Sequence, residues 1–201
     1  MSRHRRPPWL ILPVLGIALA GCAGAPVPPS VALPPGQPVT APVQGEGALL
    51  TLPSGVVLMR TPDGVWVGAQ PAAEDWPALA ALGVRRVISL RTEAELGGRD
   101  PATEAAAAGL EHQQIPVQGA EGLDLDKADR LREALRGNEQ QTLLYCASGN
   151  RAGALLALAL ARDGQPVEEA IAAGRQAGMR STEPRVRELL GVPDCPETGC
   201  P

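Results

Sequence analysis

One stretch, Leu143-Leu144-Tyr145-Cys146-Ala147-Ser148-Gly149-Asn150-Arg151-Ala152, constrains this chain more than any other. It reads as a buried strand, a six-residue turn from Cys146 to Arg151, and the start of a long apolar helix. A strand that ends on a cysteine and turns straight into a helix makes an anion site. The first turn of a helix carries unpaired N–H donors and partial positive charge. A thiolate is favoured there over a thiol. Arg151 adds a permanent charge whose planar fork suits two oxygens of one oxyanion. A charged arginine and a glycine have no packing reason to sit between a buried strand and a buried helix. Cys146 is therefore the candidate nucleophile and Arg151 the clamp. Ala147, Ser148, Gly149 and Asn150 form the anion-binding loop.

The flanking pattern sets the fold class. Val65–Ala69, Val84–Leu90, Glu111–Val117 and Thr142–Tyr145 read as strands. Helices are expected at Ala73–Leu82 with Gly83 as its stop, after the Asp100-Pro101 cap, and across 124–136, where Leu125, Ala128, Leu131 and Leu135 share a face. Ala152–Ala161 is apolar all round, as a buried helix should be, and two more helices follow at 167–178 and 182–190. Such repeats imply an α/β fold, a mainly parallel central sheet flanked by helices. Ligands in such sheets bind beyond the carboxyl ends of the strands, where Cys146 lies. Upstream, 48–52 and 55–59 predict a short N-terminal hairpin. With no Phe and one Tyr, the core has to be built from Ala, Leu and Val.

The two ends carry a different message. Arg3 to Arg6 is basic, Trp9–Ala20 is apolar, and Leu19-Ala20-Gly21-Cys22 closes the run. That run is short for a membrane span, which needs about 20 residues, but it has the secretory order. It resembles the lipobox of bacterial lipoproteins, with Cys22 the lipidated residue. By analogy with Gram-negative lipoprotein sorting, Ala23, rather than Asp, after that cysteine favours the outer membrane over the inner one, with the domain facing the periplasm. Residues 1–21 are thus expected to be a signal peptide and 22–45 a Pro/Gly-rich spacer. Residues 46–192 form the α/β domain and 193–201 a cysteine-containing tail. Cys195 and Cys200 are expected to pair in an oxidising compartment; free thiols, or a redox partnership with Cys146, are the alternatives. A net charge of −4 argues against nucleic acid as partner. Two histidines, His4 and His112, are too few for a His-based metal site. No cofactor is expected.

Four landmarks in order also resemble a known family. They are Gly68-Ala69-Gln70-Pro71, Ile88-Ser89-Leu90-Arg91 with Glu93 or Glu95 just beyond, Ile115-Pro116-Val117, and Cys146 to Arg151. Together they resemble the protein-tyrosine and dual-specificity phosphatase superfamily. The best match within it is the small bacterial phosphatase-like domain found joined to beta-lactamase-like hydrolases. The resemblance covers about Val65 to Met179. It implies hydrolysis of phosphomonoesters through a phosphocysteine on Cys146, with Arg151 and the loop amides holding the equatorial oxygens. It also implies a carboxylic acid, Glu121 or Asp124, as proton donor. Asp124 reads equally well as the N-cap of the next helix, and Glu121 as a solvated loop charge. Arg91 and Gln70 are candidate pocket supports; for Arg91 the alternative is a surface ion pair with Glu93 or Glu95.

The chain departs from the superfamily pattern at three places. Four residues, not five, separate Cys146 from Arg151; Ala152 follows the arginine where Ser or Thr is common; and Tyr145 stands where many relatives have His. The four-residue spacing keeps a rhodanese-like sulfurtransferase open as an alternative. An anion-binding lipoprotein without turnover is a second. Phosphorylated protein or small-molecule substrate, and membrane through the lipid, are the expected partners.

Overall fold

The computed structural model describes residues 47–136 and 141–193. The expectations at Cys22, at the 1–45 leader and spacer, and at Cys195 and Cys200 lie outside the described residues. Six strands form one mixed sheet in the order β1 (Leu49–Thr51), β2 (Val57–Arg60), β3 (Trp66–Ala69), β6 (Gln141–Cys146), β4 (Val84–Ser89), β5 (Glu111–Gln114). β3, β6, β4 and β5 run parallel. The hairpin does not stand apart: β1 and β2 extend the same sheet antiparallel from β3.

The period-two alternation of β6 explains both faces of the sheet. Leu144 and Cys146 point to one side and join Val67, Ile88 and Leu90 in a core covered by α3 (Leu125–Leu135) and α4 (Asn150–Arg162). Leu143 and Tyr145 point to the other side, toward Trp66, Trp76, Leu79 and Val87, where α1 (Trp76–Ala81) and α2 (Pro101–Ala107) lie near. A strand buried on both faces must be apolar at every position, which is why its run is unbroken. Asp75, wholly buried, anchors the hairpin to this core. Its carboxylate accepts from the Ser54 amide at 3.0 Å, the Ser54 hydroxyl at 2.6 Å and the Ala72 amide at 2.8 Å.

α4 is buried from Arg151 through Ala159, and α5 (Val167–Gln176) crosses it in backbone contact. A Cβ on Gly153 would lie 2.5 Å from the Gly174 carbonyl oxygen and 2.6 Å from the Met179 amide. Only glycine permits that approach, so the axis of α4, and with it the loop at its start, is fixed against α5 and the turn after it. α6 (Glu183–Leu190) completes the helical layer.

Several elements differ from their expected bounds for local reasons. The helix read from Ala73 opens as a 3-10 turn over Ala73–Asp75 and becomes α-helical at Trp76. The strand read as 111–117 is regular only to Gln114, although the Ile115 and Val117 amides still bond the Ser89 and Leu90 carbonyls. α4 begins at Asn150, which places Arg151 inside its first turn.

Candidate active site

The parallel strands end together, and their ends bring the candidates into one corner. Ala69 of β3 and Ser89 of β4 flank the end of β6, so Gln70 and Arg91 emerge on either side of Cys146. The loop then turns under a left-handed residue: Gly149 has φ 90°, a conformation that favours glycine. That turn aims the Gly149 amide back at Cys146, donating to Sγ at 3.1 Å. A backbone donor on the sulfur is the interaction that stabilises an anionic thiolate.

Arg151 is 8% exposed and turned inward. Its Nη1 and Nη2 donate to the two carboxylate oxygens of Glu95 at 2.9 and 2.6 Å. Nη1 also donates to the Val117 carbonyl. A guanidinium has five N–H donors in a fixed fork. Glu95 and Val117 engage three of them, all on the Nη side. The Nε edge, with the inner N–H of Nη2, is the one that these three bonds do not use. Glu95 raises the Arg151 pKa against the effect of burial, and the charge and hydrogen bonding of Cys146 add to the rise, so the guanidinium also faces the sulfur. In return the hydrogen bond from Arg151 lowers the Glu95 carboxyl from 4.5 to about 2, opposed by burial and aided by the Thr92 amide and hydroxyl at 2.9 and 3.0 Å. Glu95 is therefore an anion at neutral pH.

Glu95 sits in a 3-10 turn, Glu93–Glu95, that Arg91 holds. Arg91 donates through Nη2 to the Glu95 carbonyl and through Nη1 to the Gln70 side-chain oxygen, and its Nε lies 3.7 Å from the Glu95 carboxylate. Arg91 does pair with Glu95, one of the two partners its sequence neighbourhood offers, but in a part-buried network and not on the open surface. Glu95 itself is legible in the sequence only as a partner for Arg91. Its hold on Arg151, across 56 positions, carries no sequence signal.

Asn150 has a further use besides its place in the loop. Its side-chain oxygen accepts from the Arg180 amide at 2.7 Å and the Thr182 hydroxyl at 2.8 Å, and its Nδ2 donates to the Ser181 hydroxyl at 2.7 Å. The segment between α5 and α6 is thereby tied to the loop. Ala147 and Ser148 are exposed at the loop's outer rim. A cleft of about 500 Å³ beside Ser181 is lined by Ala120, Glu121, Arg185 and Glu188. Asp124 caps α3, accepting from the Lys127 amide at 2.7 Å and from the Lys127 ammonium. Burial pushes its carboxyl up, but those two hydrogen bonds and the Lys127 charge outweigh it and hold the group below its ordinary value. Tyr145, buried behind the loop, meets Trp76 edge-on at 6.1 Å and His112 Nε2 at 3.3 Å, and burial raises its hydroxyl pKa.

Comparison with known proteins gives the family and the fold. Residues 59–163 match the family model of the phosphatase-like domain of beta-lactamase hydrolase-like proteins. The beta-lactamase hydrolase-like protein of Agrobacterium fabrum is 29% identical over 111 residues. That match covers 53% of this chain, which spans about a quarter (26%) of the relative's length. Solved structures share the fold. Pseudomonas aeruginosa TpbA, in complex with pTyr and with a serine in place of one cysteine, has a TM-score of 0.57 at 16% identity, covering 75% of this chain and 93% of that one. A phosphatase-like protein of Neisseria meningitidis has a TM-score of 0.54 at 22% identity, covering 63% and 93%. PTPMT1 has a TM-score of 0.53 at 20% identity, covering 67% and 96%.

Proposed function

Because the chain belongs to the family of phosphatase-like domains of beta-lactamase hydrolase-like proteins, we propose that it hydrolyses phosphomonoesters through a covalent phosphocysteine on Cys146. The observation that carries this reading is the division of the Arg151 fork. Glu95 takes one edge, and the charge and hydrogen bonding of Cys146 act on the same guanidinium. A surface or purely architectural arginine has no reason to be held that way.

The steps follow from those atoms. The Cys146 thiolate attacks phosphorus while the bond to the leaving oxygen breaks, and that oxygen takes the electron pair and a proton. Arg151 and the loop amides hold the equatorial oxygens as charge shifts toward them. Water then attacks phosphorus, the S–P bond breaks, and the thiolate and inorganic phosphate are released. Of the two candidate acids, Asp124 is held anionic by Lys127 as a helix cap, so the donor role falls to Glu121. Glu121 lines a cleft together with Ser181, whose hydroxyl accepts from Asn150 Nδ2. The rhodanese-like alternative has the four-residue spacing of the loop in its favour and no match among the family and fold comparisons above.

The reading places the enzyme on the periplasmic face of the outer membrane, anchored through Cys22. Phosphotyrosine and a phosphoinositide belong in the substrate panel, because TpbA and PTPMT1 have solved complexes with pTyr and PI(5)P. The test is hydrolysis of p-nitrophenyl phosphate and of that panel by the full chain, with vanadate as inhibitor. Vanadate-sensitive release of phosphate supports the reading. Release of thiocyanate from thiosulfate and cyanide, with no phosphate release, overturns it. Radiolabelled palmitate should enter the wild-type chain and not Cys22→Ser.

A further inference from the structure

The catalytic corner holds two arginines, Arg151 bonded to Glu95 and Val117, and Arg91 bonded to Gln70 and the Glu95 carbonyl. We infer that Arg91 is a positioning residue for the phosphatase reaction, acting on Arg151 through Glu95, with Gln70 as the peg that fixes Arg91. The inference rests on the phosphatase reading and adds residues that the reading does not need.

Arg91 is bonded at both terminal nitrogens and closed off at Nε. Nη1 donates to the Gln70 oxygen, Nη2 to the Glu95 carbonyl, and Nε has no accessible surface and no hydrogen-bond partner. Its Nε edge is turned into the protein, so it cannot fork an oxyanion as Arg151 can. Its reach explains what it does instead. Gln70 follows β3 and Arg91 follows β4, the two neighbours of β6, so their bond spans the end of the strand that delivers Cys146. Gln114, at the end of β5, donates to the Arg91 carbonyl at 2.8 Å, and the Arg91 amide donates to the Ser89 hydroxyl at 3.2 Å. The backbone at Arg91 is thus pinned from two strands. The side chain carries that fixity to the Glu93–Glu95 turn.

Two forces follow. The bond to the Glu95 carbonyl sets where the Glu95 side chain begins. The Arg91 charge, 3.7 Å from the carboxylate, balances part of its negative charge. Glu95 can then hold the far edge of Arg151 without drawing the whole guanidinium away from the sulfur. A bidentate clamp loses its value when misplaced by about 1 Å, so a remote anchor of this kind affects turnover.

The experiment is a double-mutant cycle on the full chain, comparing wild type, Arg91→Met, Glu95→Gln and the double variant. Turnover of p-nitrophenyl phosphate is measured together with the ratio of Cys146 alkylation rates by iodoacetate and iodoacetamide. That ratio reads whether a cation guides an anion to the sulfur, and it needs no turnover. Arg91→Met should lower kcat/KM about tenfold, mainly in kcat, and Glu95→Gln about fiftyfold. The double variant should be no worse than Glu95→Gln alone, and the alkylation ratio should fall several-fold in all three. Arg91→Lys, which cannot span Gln70 and Glu95 together, should recover little. It serves in place of Arg91→Met if that variant does not fold. Multiplying effects, a rise in KM alone, or an unchanged alkylation ratio overturns the inference. A wild type that turns over no phosphomonoester while the alkylation ratio still falls refutes the phosphatase reading and leaves the positioning role standing.

Discussion

Arg151 and Arg187 are both buried, at 8% and 3% exposure, and each is forked by a glutamate. Arg187 donates through Nε to Glu183 at 2.9 Å, through both terminal nitrogens to Glu168 at 3.1 and 3.0 Å, and through Nη1 to the Pro193 carbonyl at 3.0 Å. All of its nitrogens face protein, and the result ties α5, α6 and the segment after α6 together. Arg151 bonds Glu95 and Val117 through its two Nη nitrogens, and the Cys146 thiol acts on the same guanidinium. Burial and a carboxylate partner do not separate an architectural arginine from a functional one. The reactive group that shares the guanidinium does.

The largest expected effect breaks the two apart. Cys146→Ser and Arg151→Ala should each lower turnover per folded molecule about a thousandfold or more; Arg151→Ala also costs stability, because it leaves Glu95 without its partner. Arg187→Met should cost stability alone. Truncating one partner of a buried ion pair costs about 3–5 kcal/mol, read in urea, while turnover per folded molecule stays close to wild type. If Arg151→Ala keeps wild-type turnover per folded molecule and Arg187→Met silences a folded one, the assignment of roles is inverted.

The next effect sharpens the active-site half. Glu121→Gln should lower kcat on alkyl phosphates by about a hundredfold, the typical scale of a general acid. The loss should be smaller on p-nitrophenyl phosphate, whose leaving oxygen needs little protonation. Asp124→Asn, by contrast, should show a small loss of stability and an intact pH–rate profile. A larger catalytic loss in Asp124→Asn than in Glu121→Gln would move the acid to the helix cap.

A smaller effect concerns acid. The Glu95 carboxyl is depressed from 4.5 to about 2 in the folded chain. Its contribution to stability is therefore complete above about pH 4.5 and is lost as pH falls toward 2. Urea midpoints between those pH values should fall less steeply for Glu95→Gln than for wild type. Equal slopes would mean that the Glu95–Arg151 fork is not populated in solution. The smallest effect expected is that of Asn150→Ala. Losing its bonds to Arg180, Ser181 and Thr182 should cost about 1–2 kcal/mol and a few-fold in activity.

The same contrast explains what can be read from the sequence. The strand, the loop and the buried helix are legible because they are contiguous: nucleophile, glycine turn and clamp fall within six residues, Cys146 to Arg151. The helix start is less so, since Asn150 looks like loop until Thr182 and the Arg180 amide are seen to hold its side chain. Strand order is not legible. β6 inserts between β3 and β4, and no local pattern encodes which strands become neighbours. The hairpin is legible as a hairpin, but its attachment through buried Asp75 and Ser54 is not. The electrostatics of the site are hidden for the same reason. Glu95 reads as one acid among several near Arg91, and only the fold carries it to Arg151.

The most direct test of the account is rapid acid quench of full-length protein during turnover of a ³²P-labelled phosphomonoester, followed by peptide mapping. The account predicts transient label on the peptide containing Cys146, chased off with time and absent in Cys146→Ser. Steady release of phosphate with no label on that peptide, or turnover persisting in Cys146→Ser, would contradict it.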